Sequence, residues 1–295
     1  MDRGVELELR EMIFDHLAKQ VEEKGALTRA ELSAFPVGNE TRRLIDQNRG
    51  IWNPRDLMAT LSIVSNPSSQ YADAEIGDSM FAYSYRDGST DGDNRKLRRA
   101  FELQLPVILL RWIRPGTYVP VFPVYVIRDD HERRRFLLAL DKDFGEIPDP
   151  EKLTPIERRY ARRLAKQRLH QPEFRGRVLV AYDNRCGICG LGYRQLLDAA
   201  HIVADNDEHG LPEVANGLCL CKIHHAAFDA NMLGISPDYE IVVGDELMNG
   251  PDDGPMLHHG FREMHRRQLI TPVRRIDRPA KDRLAQRFEL FEAAS

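Results

Sequence analysis

The feature that most constrains this chain is a set of cysteine and histidine residues in two short motifs. Cys186 and Cys189 are separated by two residues, and Cys221 and His224 repeat that spacing further along the chain. Thiolate and imidazole groups are the ligands of structural zinc sites, and two such motifs supply a complete tetrahedral set. The sequence therefore predicts a structural Zn²⁺ site formed by these four residues.

Two alternatives remain open for the cysteines. A Cys-x-x-Cys motif is also typical of a redox pair. Cys219 alternates with Cys221 in a hydrophobic run, so both lie on the same face of a predicted strand. Cys219 is therefore either a competing zinc ligand or a small buried residue, and we expect the buried residue.

A second series of polar residues lies within the same segment. His201 falls in the hydrophobic run Leu-Leu-Asp-Ala-Ala-His-Ile-Val, which predicts a β-strand. Asn216 follows, and then His225 lies at the start of a predicted helix with Asp229 four residues later. Because residues four apart share one face of a helix, His225 and Asp229 could bind one cation together.

This segment resembles the HNH nucleases, which have the ββα-metal fold. The resemblance is carried by Ala-His-Ile, by the Asn of Asn-Gly-Leu, and by the motif Leu-Cys-x-x-His-His-x-x-Phe-Asp. It implies that His201 is the general base that deprotonates the attacking water, and that Asn216 holds the loop and orients the His201 ring. It also implies that His225 binds a catalytic divalent cation, Mg²⁺ or Mn²⁺, which stabilises charge on the scissile phosphate and the leaving 3′ oxygen.

The segment departs from the family pattern at one metal-binding position. Many relatives have Asp or His immediately before the general base as a second metal ligand. This chain has Ala200 there, which offers no ligand atom. Asp229, or alternatively Asp198, is therefore expected to complete the metal site with His225.

The composition is typical of a protein that keeps its thiols reduced. The chain has 295 residues, of which 42% are hydrophobic and 30% charged, enough for two domains with buried cores. All four cysteines lie near the candidate zinc site, which argues against a disulfide scaffold and predicts a cytoplasmic protein. We expect neither a signal peptide nor a membrane partner. Because the net charge is −4, any DNA contact must use local basic patches.

The chain changes character near residue 35. Residues 1–35 form a predicted helical segment, in which one helix ends at Gly25 and a second begins with a capping box of Thr28 and Glu31. Residues 36–147 contain short runs of β-branched and aromatic residues separated by turn motifs. This pattern predicts a β-barrel or curled sheet with one helix at Asn94–Leu105.

Residues 71–88 resemble the SRA domains, which bind DNA bearing 5-methylcytosine or a related base and flip that base into a pocket. Tyr71 and Tyr83 have the family's separation, with Phe81 and Ser84 in the family positions. The resemblance implies that the two tyrosines stack on both faces of the flipped base. It also implies that the backbone around residues 82–85, which include Ser84, supplies the remaining contacts.

The identity of the base requires hydrogen bonds to its edge. The family has an Asp three residues after the first tyrosine, whereas this chain has Ala74 there, and the adjacent Asp73 is the candidate substitute. The alternative is a barrel whose tyrosines face the core. Alternation along the strand places Phe81, Tyr83 and Tyr85 on one face, which that alternative explains equally well.

A basic segment, residues 148–172, joins the two halves of the chain. It begins with a proline-containing linker and continues as a predicted helix with Ile156, Tyr160 and Leu164 as its buried stripe. Its cations either neutralise DNA phosphates or form a solvated helix face. The candidate phosphate-binding residues, one of them just beyond the segment, are Arg158, Arg159, Arg162, Arg163, Lys166 and Arg175.

Residues 173–295 are assigned to the nuclease domain. A strand–turn–strand and a closing helix are predicted after Asp229, and Leu284, Phe288 and Phe291 form a packing or dimer face of that helix. The predicted fold class is therefore α+β. It combines an SRA/PUA-like β-barrel with flanking helices and a zinc-stabilised ββα-metal domain at the C-terminal end.

Together, the two resemblances imply a modification-dependent restriction endonuclease of the SRA-HNH type, from a bacterial cytoplasm. Its first domain would flip a modified cytosine, 5-methyl or 5-hydroxymethyl, out of double-stranded DNA. Its second domain would hydrolyse phosphodiester bonds with one divalent cation, leaving 5′-phosphate and 3′-hydroxyl ends. Since one HNH site cuts one strand, a double-strand break implies a homodimer or two binding events.

Two alternative functions remain. An HNH nuclease that does not depend on modification is favoured by Ala74, and a catalytically inactive reader of modified DNA is favoured by Ala200.

Overall fold

The structure is a computed structural model that divides into two compact units, Met1–Glu173 and Phe174–Ser295. It describes residues 2–47, 50–65, 74–76, 80–85, 92–147, 149, 152–204, 212–251 and 254–294. The finer division into a helical segment, an SRA-like domain, a linker and a nuclease domain stays a prediction. Among the described residues, no helix is long and hydrophobic enough to cross a membrane.

The first unit opens with a long helix, α1 (Arg3–Lys24), which ends at Gly25 as predicted. Gly25 has a φ of 73°, a backbone conformation that lacks a steric penalty only for glycine. Strand β1 (Leu27–Thr28) leads to α2 (Arg29–Ser33), where both hydrogen bonds of the predicted capping box are formed. A hairpin of β2 (Phe35–Val37) and β3 (Glu40–Arg42) follows.

A buried ion pair on α1 was not predicted. The side chains of Glu6 and Arg10 are both 0% exposed, with 2.6 Å between Arg10 Nη2 and Glu6 Oε1. Arg10 also donates to the backbone carbonyls of Thr60 and Pro106, and Glu6 Oε2 accepts from the Met58 backbone N–H. Charges this deeply buried are tolerated because every polar atom involved finds such partners.

A curled mixed sheet forms the core of the first unit. Its strands beyond β1 are β4 (Ile51–Trp52), β5 (Ser62–Ser65), β6 (Ala74–Ile76), β7 (Met80–Ser84), β8 (Val107–Arg114), β9 (Thr117–Asp130) and β10 (Arg135–Ala139). The pairing order is β4-β5-β8-β9-β10-β7-β6, and β1 pairs with β9. Strands β5 and β8 are parallel, and the other described pairs of this sheet are antiparallel.

The sequence predicts a β-barrel or a curled sheet, and the described strands form a curled sheet that is only half-closed. The sheet ends at β4 on one side and at β6 on the other, and these two strands do not pair with each other. Their described lengths are two and three residues. The helix predicted in this region is present as α3 (Asp93–Leu103).

The basic segment is helical, but the prediction of its buried stripe was wrong for Ile156 and Tyr160, while Leu164 is partly buried and packs against the core. Helix α4 (Pro155–Ala165) continues through a π-helical turn (Lys166–His170) into α5 (Gln171–Ala181). Ile156 is 72% exposed and Tyr160 is 47% exposed, whereas Ala161 and Ala165 are buried. The stripe is displaced by one residue because small alanine side chains allow a closer approach, and the Tyr160 hydroxyl donates to Asp141 at 2.6 Å.

The second unit contains the predicted ββα arrangement. Strands β11 (Leu197–His201) and β12 (Gly217–Cys221) form an antiparallel hairpin, followed directly by α6 (Lys222–Asp229). The rest of the unit consists of the β13 (Leu233–Ile235) and β14 (Ile241–Val243) hairpin, α7 (Asp245–Asn249), α8 (Pro255–Gly260) and α9 (Lys281–Ala294).

The closing helix α9 packs as predicted. Leu284 and Phe291 are buried. A Cβ added at Gly234 in β13 would lie 2.5 Å from Phe291 Cδ1, so the glycine is what lets the ring reach the hairpin. This face of α9 is therefore a packing face within the chain.

Candidate active site and metal centre

The four predicted zinc ligands lie together in the second unit. The ligand atoms of Cys186, Cys189, Cys221 and His224 are all within 4.8 Å of one another. His224 Nδ1 lies 3.2 Å from the sulfur of Cys221 and 3.5 Å from the sulfur of Cys186. The two motifs, distant in sequence, thus form one compact Cys₃His cluster.

Backbone hydrogen bonds shape the first motif into a tight turn. The Gly190 N–H donates to the Cys186 carbonyl at 2.9 Å, and Gly190 has a φ of 71°. The Gly187 N–H donates to the carbonyl of Cys219 at 2.7 Å, which ties this turn to β12. Since β12 ends at Cys221, the same strand brings the second motif to the first.

The donor set fits a tetrahedral Zn²⁺. His224 Nε2 lies 2.7 Å from the Gly260 carbonyl oxygen, which can only accept, so Nε2 carries the hydrogen and Nδ1 faces the sulfurs. Burial lowers the pKa of His224, but hydrogen bonds to Cys186 and Cys221 outweigh it and raise this pKa to about 10. Zinc binding requires Nδ1 without its proton, so the metal would replace this proton at the sulfurs.

Cys219 is a buried residue outside this cluster, as expected. Its side chain is 0% exposed, and burial raises the pKa of its thiol to about 12. All four cysteines are free thiols. Because Cys186 and Cys189 share their cluster with Cys221 and His224, the arrangement favours metal binding over a redox pair.

His225 lies between two carboxylates. Its Nε2 is 3.3 Å from Asp229 Oδ2, and its Nδ1 is 3.8 Å from Asp198 Oδ2. The helical i, i+4 spacing brings Asp229 to the ring, while β11 brings Asp198. Both predicted candidates for the second metal ligand therefore adjoin His225, at different ring nitrogens.

The surroundings of the two carboxylates differ. Asp198 Oδ1 lies 3.7 Å from the guanidinium Nε of Arg175, so a cation already balances part of its charge. Asp229 is 63% exposed and closer to the ring of His225. Asp229 is thus the better placed ligand for a divalent cation shared with His225.

The described residues also offer compact groups of three or more potential ligands. These are the Cys₃His cluster and an exposed group formed by His258, His259 and Glu263. The pair of His225 and Asp229 belongs to neither group. A cation bound by this pair would complete its shell with water and phosphate oxygens, as Mg²⁺ commonly does.

Asn216 holds the backbone that follows His201. Its Nδ2 donates to the Val203 carbonyl at 2.9 Å, and the Val203 N–H donates to its Oδ1 at 3.0 Å. The Ile202 N–H donates to the Asn216 carbonyl at 2.9 Å. Asn216 is fully buried, so these bonds are shielded from water. The orientation of His201 by Asn216 stays a prediction, and the contacts described here act on the backbone.

His201 lines a cleft of the second unit. It is the last residue of β11, opposite Gly217 of β12. The cleft has a volume of about 510 Å³, and its lining also includes Asp229, Asn231 and Arg287. The predicted base and one predicted metal ligand therefore share one cleft.

Two residues near this cleft were missed by the sequence reasoning. The ring of Phe174 stacks on the His201 imidazole, with centroids 4.0 Å apart and planes 17° apart. Arg287, on α9, donates to the Phe228 carbonyl and to Asn231 Oδ1. The i, i+4 spacing of Phe174 and Val178 marks a buried helix face, but no sequence signal shows what that face touches.

The structure describes two of the four predicted base-pocket residues. Tyr83 is 6% exposed and its hydroxyl donates to the Gly50 carbonyl at 3.4 Å, while Ser84 is half-buried. Tyr71 and Asp73 lie outside the described residues. The burial of Tyr83 is the arrangement that the core-facing alternative predicts, and the pocket role of these residues stays a prediction.

The predicted phosphate-binding residues fall into two groups. The first group lies on or next to α4. Lys166, which follows the helix, is half-buried, and the arginines on the helix are exposed: Arg158, Arg159, Arg162 and Arg163. Arg175 instead donates to the carbonyl of Leu197 at 2.9 Å and so holds the start of β11. DNA contact by any of these residues stays a prediction.

The comparisons with known proteins agree with the HNH resemblance. Residues 186–236 match the family model of HNH endonucleases, which confirms the resemblance for this segment. No curated protein sequence matches the chain.

Similar solved structures include the modification-dependent TagI restriction endonuclease, at 18% identity over 83% of this chain and 86% of that chain, with a TM-score of 0.29. A SUVH5 SRA domain in complex with hemi-methylated CG DNA has 17% identity over 43% of this chain and 89% of that chain, with a TM-score of 0.25. The phosphorothioation-dependent type IV restriction endonuclease ScoMcrA has 18% identity over 62% of this chain and 48% of that chain, with a TM-score of 0.22.

Proposed function

We propose that the chain is a modification-dependent DNA endonuclease. The observation that carries the nuclease half is the placement of His201, Asn216, His225 and Asp229 on one ββα motif, within the segment that matches the HNH endonucleases. The recognition half rests on the resemblance of residues 71–88 to SRA domains. Its substrate is double-stranded DNA with a modified cytosine, 5-methyl or 5-hydroxymethyl, which the first unit flips out of the stack.

His201 is the general base of the proposed reaction. It takes the proton from the attacking water at the mouth of the cleft that it lines. Because the backbone after His201 is held by Asn216, the imidazole needs little reorganisation when the proton is transferred. The products are a 5′-phosphate and a 3′-hydroxyl.

His225 and Asp229 are the proposed ligands of the catalytic divalent cation, Mg²⁺ or Mn²⁺. Such a cation supplies charge stabilisation at the scissile phosphate and the leaving 3′ oxygen. Two ligands from the chain suit these ions, which keep several water molecules and bind substrate phosphates directly. Asp198 remains paired with Arg175 and presents its carboxylate to Nδ1 of His225.

The Cys₃His cluster is the proposed structural Zn²⁺ site. Its four donors fill a tetrahedral shell and leave no position for substrate. His224 lies immediately before His225, so fixing His224 to the cluster also fixes the start of α6. Binding of the structural ion would thereby fix the position of α6, which carries His225 and Asp229.

DNA backbone contacts are assigned to the exposed face of α4. Its four exposed arginines can neutralise phosphates without help from the overall charge, which is −4. Since each chain has one proposed nuclease site, a double-strand break requires a homodimer or two successive binding events.

The test is cleavage of matched DNA duplexes that contain cytosine, 5-methylcytosine or 5-hydroxymethylcytosine. Each duplex is incubated with Mg²⁺, Mn²⁺ or EDTA, and His201→Ala serves as the inactive control. We expect metal-dependent cutting of the modified duplexes and a loss of about 10²- to 10⁴-fold in the control, the usual contribution of a general base. Cutting by the control at the wild-type rate would reject His201 as the base.

A second candidate function is an HNH nuclease that does not require a modified base. The burial of Tyr83 in the core favours it, because a core residue cannot stack on a flipped base without rearrangement. Equal cutting of all three duplexes would establish this function in place of the first.

A further inference from the structure

We propose that Phe174 is a positioning residue for the general base, and that its ring sets the plane in which the His201 imidazole lies. The inference rests on the proposed function, since it takes His201 to be the base. Phe174 has no polar atom on its side chain, so it acts through His201.

The stacking geometry restricts rotation of the His201 ring about the terminal torsion of its side chain. Aromatic pairs usually have centroids about 4.5–7 Å apart. The rings of Phe174 and His201 are 4.0 Å apart and 17° from parallel, so one face of the imidazole is fully covered. The terminal torsion of a histidine is otherwise broad, and rotation about it would drive the imidazole edge into the Phe174 ring.

Phe174 itself has little freedom to move. Its side chain is 2% exposed. Its ring also lies against Gly217, because a Cβ added at Gly217 would be 3.0 Å from Phe174 Cζ and 2.4 Å from Val178 Cγ2. Gly217 is the residue opposite His201 in the β11–β12 hairpin. The absence of a side chain at this position is what lets α5 bring its ring onto the histidine.

Two restraints therefore act on His201 at different levels. Asn216 holds the backbone immediately after it, through both atoms of its amide group and the Val203 backbone. Phe174 holds the ring. A base that is fixed in both ways meets the attacking water in one orientation, so loss of the ring restraint lowers kcat and leaves KM for DNA unchanged.

The test compares Phe174→Leu with the control Val178→Ala. Val178 is one turn along the same helix and also packs against Gly217, but it carries no aromatic ring. Phe174→Met, whose flexible side chain fills the same space, is measured alongside in case the Leu variant folds poorly. Zinc content and thermal unfolding show that each variant is folded.

The first readout is the NMR spectrum of the full chain with ¹³C-labelled histidine, in which His201→Gln identifies the His201 signals. Stacking on the Phe174 face shifts the ring protons of His201 upfield. We expect that shift to be lost in Phe174→Leu and Phe174→Met and retained in Val178→Ala. Unchanged His201 signals in both Phe174 variants would overturn the inference.

The second readout is the steady-state kinetics of DNA cleavage. We expect kcat of the Phe174 variants to fall by about tenfold to 10²-fold, as for a small misplacement of a reacting group, with KM unchanged. If the Phe174 variants lose the upfield shift but keep the wild-type kcat, the inference is wrong and the proposed nuclease function is unaffected. A wild-type chain that cuts none of the duplexes would instead overturn the proposed function, and this inference with it.

Discussion

His224 and His225 are consecutive residues with different surroundings. His224 is buried, and its Nδ1 faces the thiols, while His225 is 26% exposed and lies between two carboxylates. Consecutive residues on a helix point about 100° apart, so one histidine can face the thiols while the next lies beside Asp198 and Asp229. At this scale, the side-chain direction set by the helix separates the proposed structural ligand from the proposed catalytic one.

Asp229 and Asp198 can be distinguished by substitution. Asp229→Asn should raise the Mn²⁺ concentration needed for half-maximal cleavage by roughly 10- to 100-fold, since it removes a charged ligand next to His225 Nε2. Asp198→Asn should change this concentration much less, because Asp198 is already paired with Arg175. Titration of cleavage rate with Mn²⁺ gives both values, and the reverse order would transfer the ligand role to Asp198.

At the scale of elements, the β11–β12 hairpin and α6 bring the two sites into one motif. The Cys₃His cluster includes residues at the end of β12 and in the first turn of α6. The proposed base and metal ligands lie at the end of β11 and along the rest of α6. The turn that contains Cys186 is joined to the hairpin through Cys219. Loss of the metal cluster should therefore disrupt the active site as well.

Cys186→Ser tests this dependence. Structural zinc supplies roughly 10–16 kcal/mol of binding free energy in small zinc domains, and it is folding free energy. We expect the variant to lose its bound zinc and the cooperative unfolding of the second unit, measured by metal analysis and circular dichroism. Cys219→Ser is the matched control, because Cys219 is equally buried but lies outside the cluster. A cooperatively folded Cys186→Ser protein without zinc would contradict the structural assignment.

The elements that sequence predicted best are those marked by local motifs. Each half of the Cys₃His set is a pair of residues three positions apart, and the strands and helices of the ββα motif and the closing helix follow from local hydrophobic spacing. The buried stripe of α4 was misplaced by one residue, because helical periodicity does not reveal that alanines approach a neighbouring surface more closely than large side chains. Phe174 was missed since its contact with His201 joins a helix to a distant hairpin, which no local pattern encodes.

At the scale of the whole molecule, charge is distributed unevenly. The chain is acidic overall, with a net charge of −4, yet α4 presents four exposed arginines within one short helix. An acidic protein binds DNA only if such a local patch outweighs the repulsion by the rest of the surface. Recognition and cleavage in the proposed function therefore depend on where the positive charges lie, and not on their total number.

Removal of the α4 arginines should weaken DNA binding in a salt-dependent manner. If all four contact phosphates, the slope of log K against log salt concentration should become shallower by about 0.9 for each arginine that is lost. Fluorescence anisotropy over a salt series measures this slope. The substituted residues are Arg158, Arg159, Arg162 and Arg163.

The control removes the same charge from exposed arginines of the second unit. An equal change of slope in this control would show that overall charge, rather than the α4 face, controls binding. The control residues are Arg266, Arg267, Arg274 and Arg275.

The consecutive histidines also limit how the length of this segment can vary. Inserting or deleting one residue between Cys221 and Asp229 would rotate the rest of α6 by about 100° and break either the Cys221–His224 spacing or the His225–Asp229 pair. Each length variant would keep at most one of the two sites. Homologous chains and engineered libraries should therefore vary the amino acids of this segment, while its residue count stays constant.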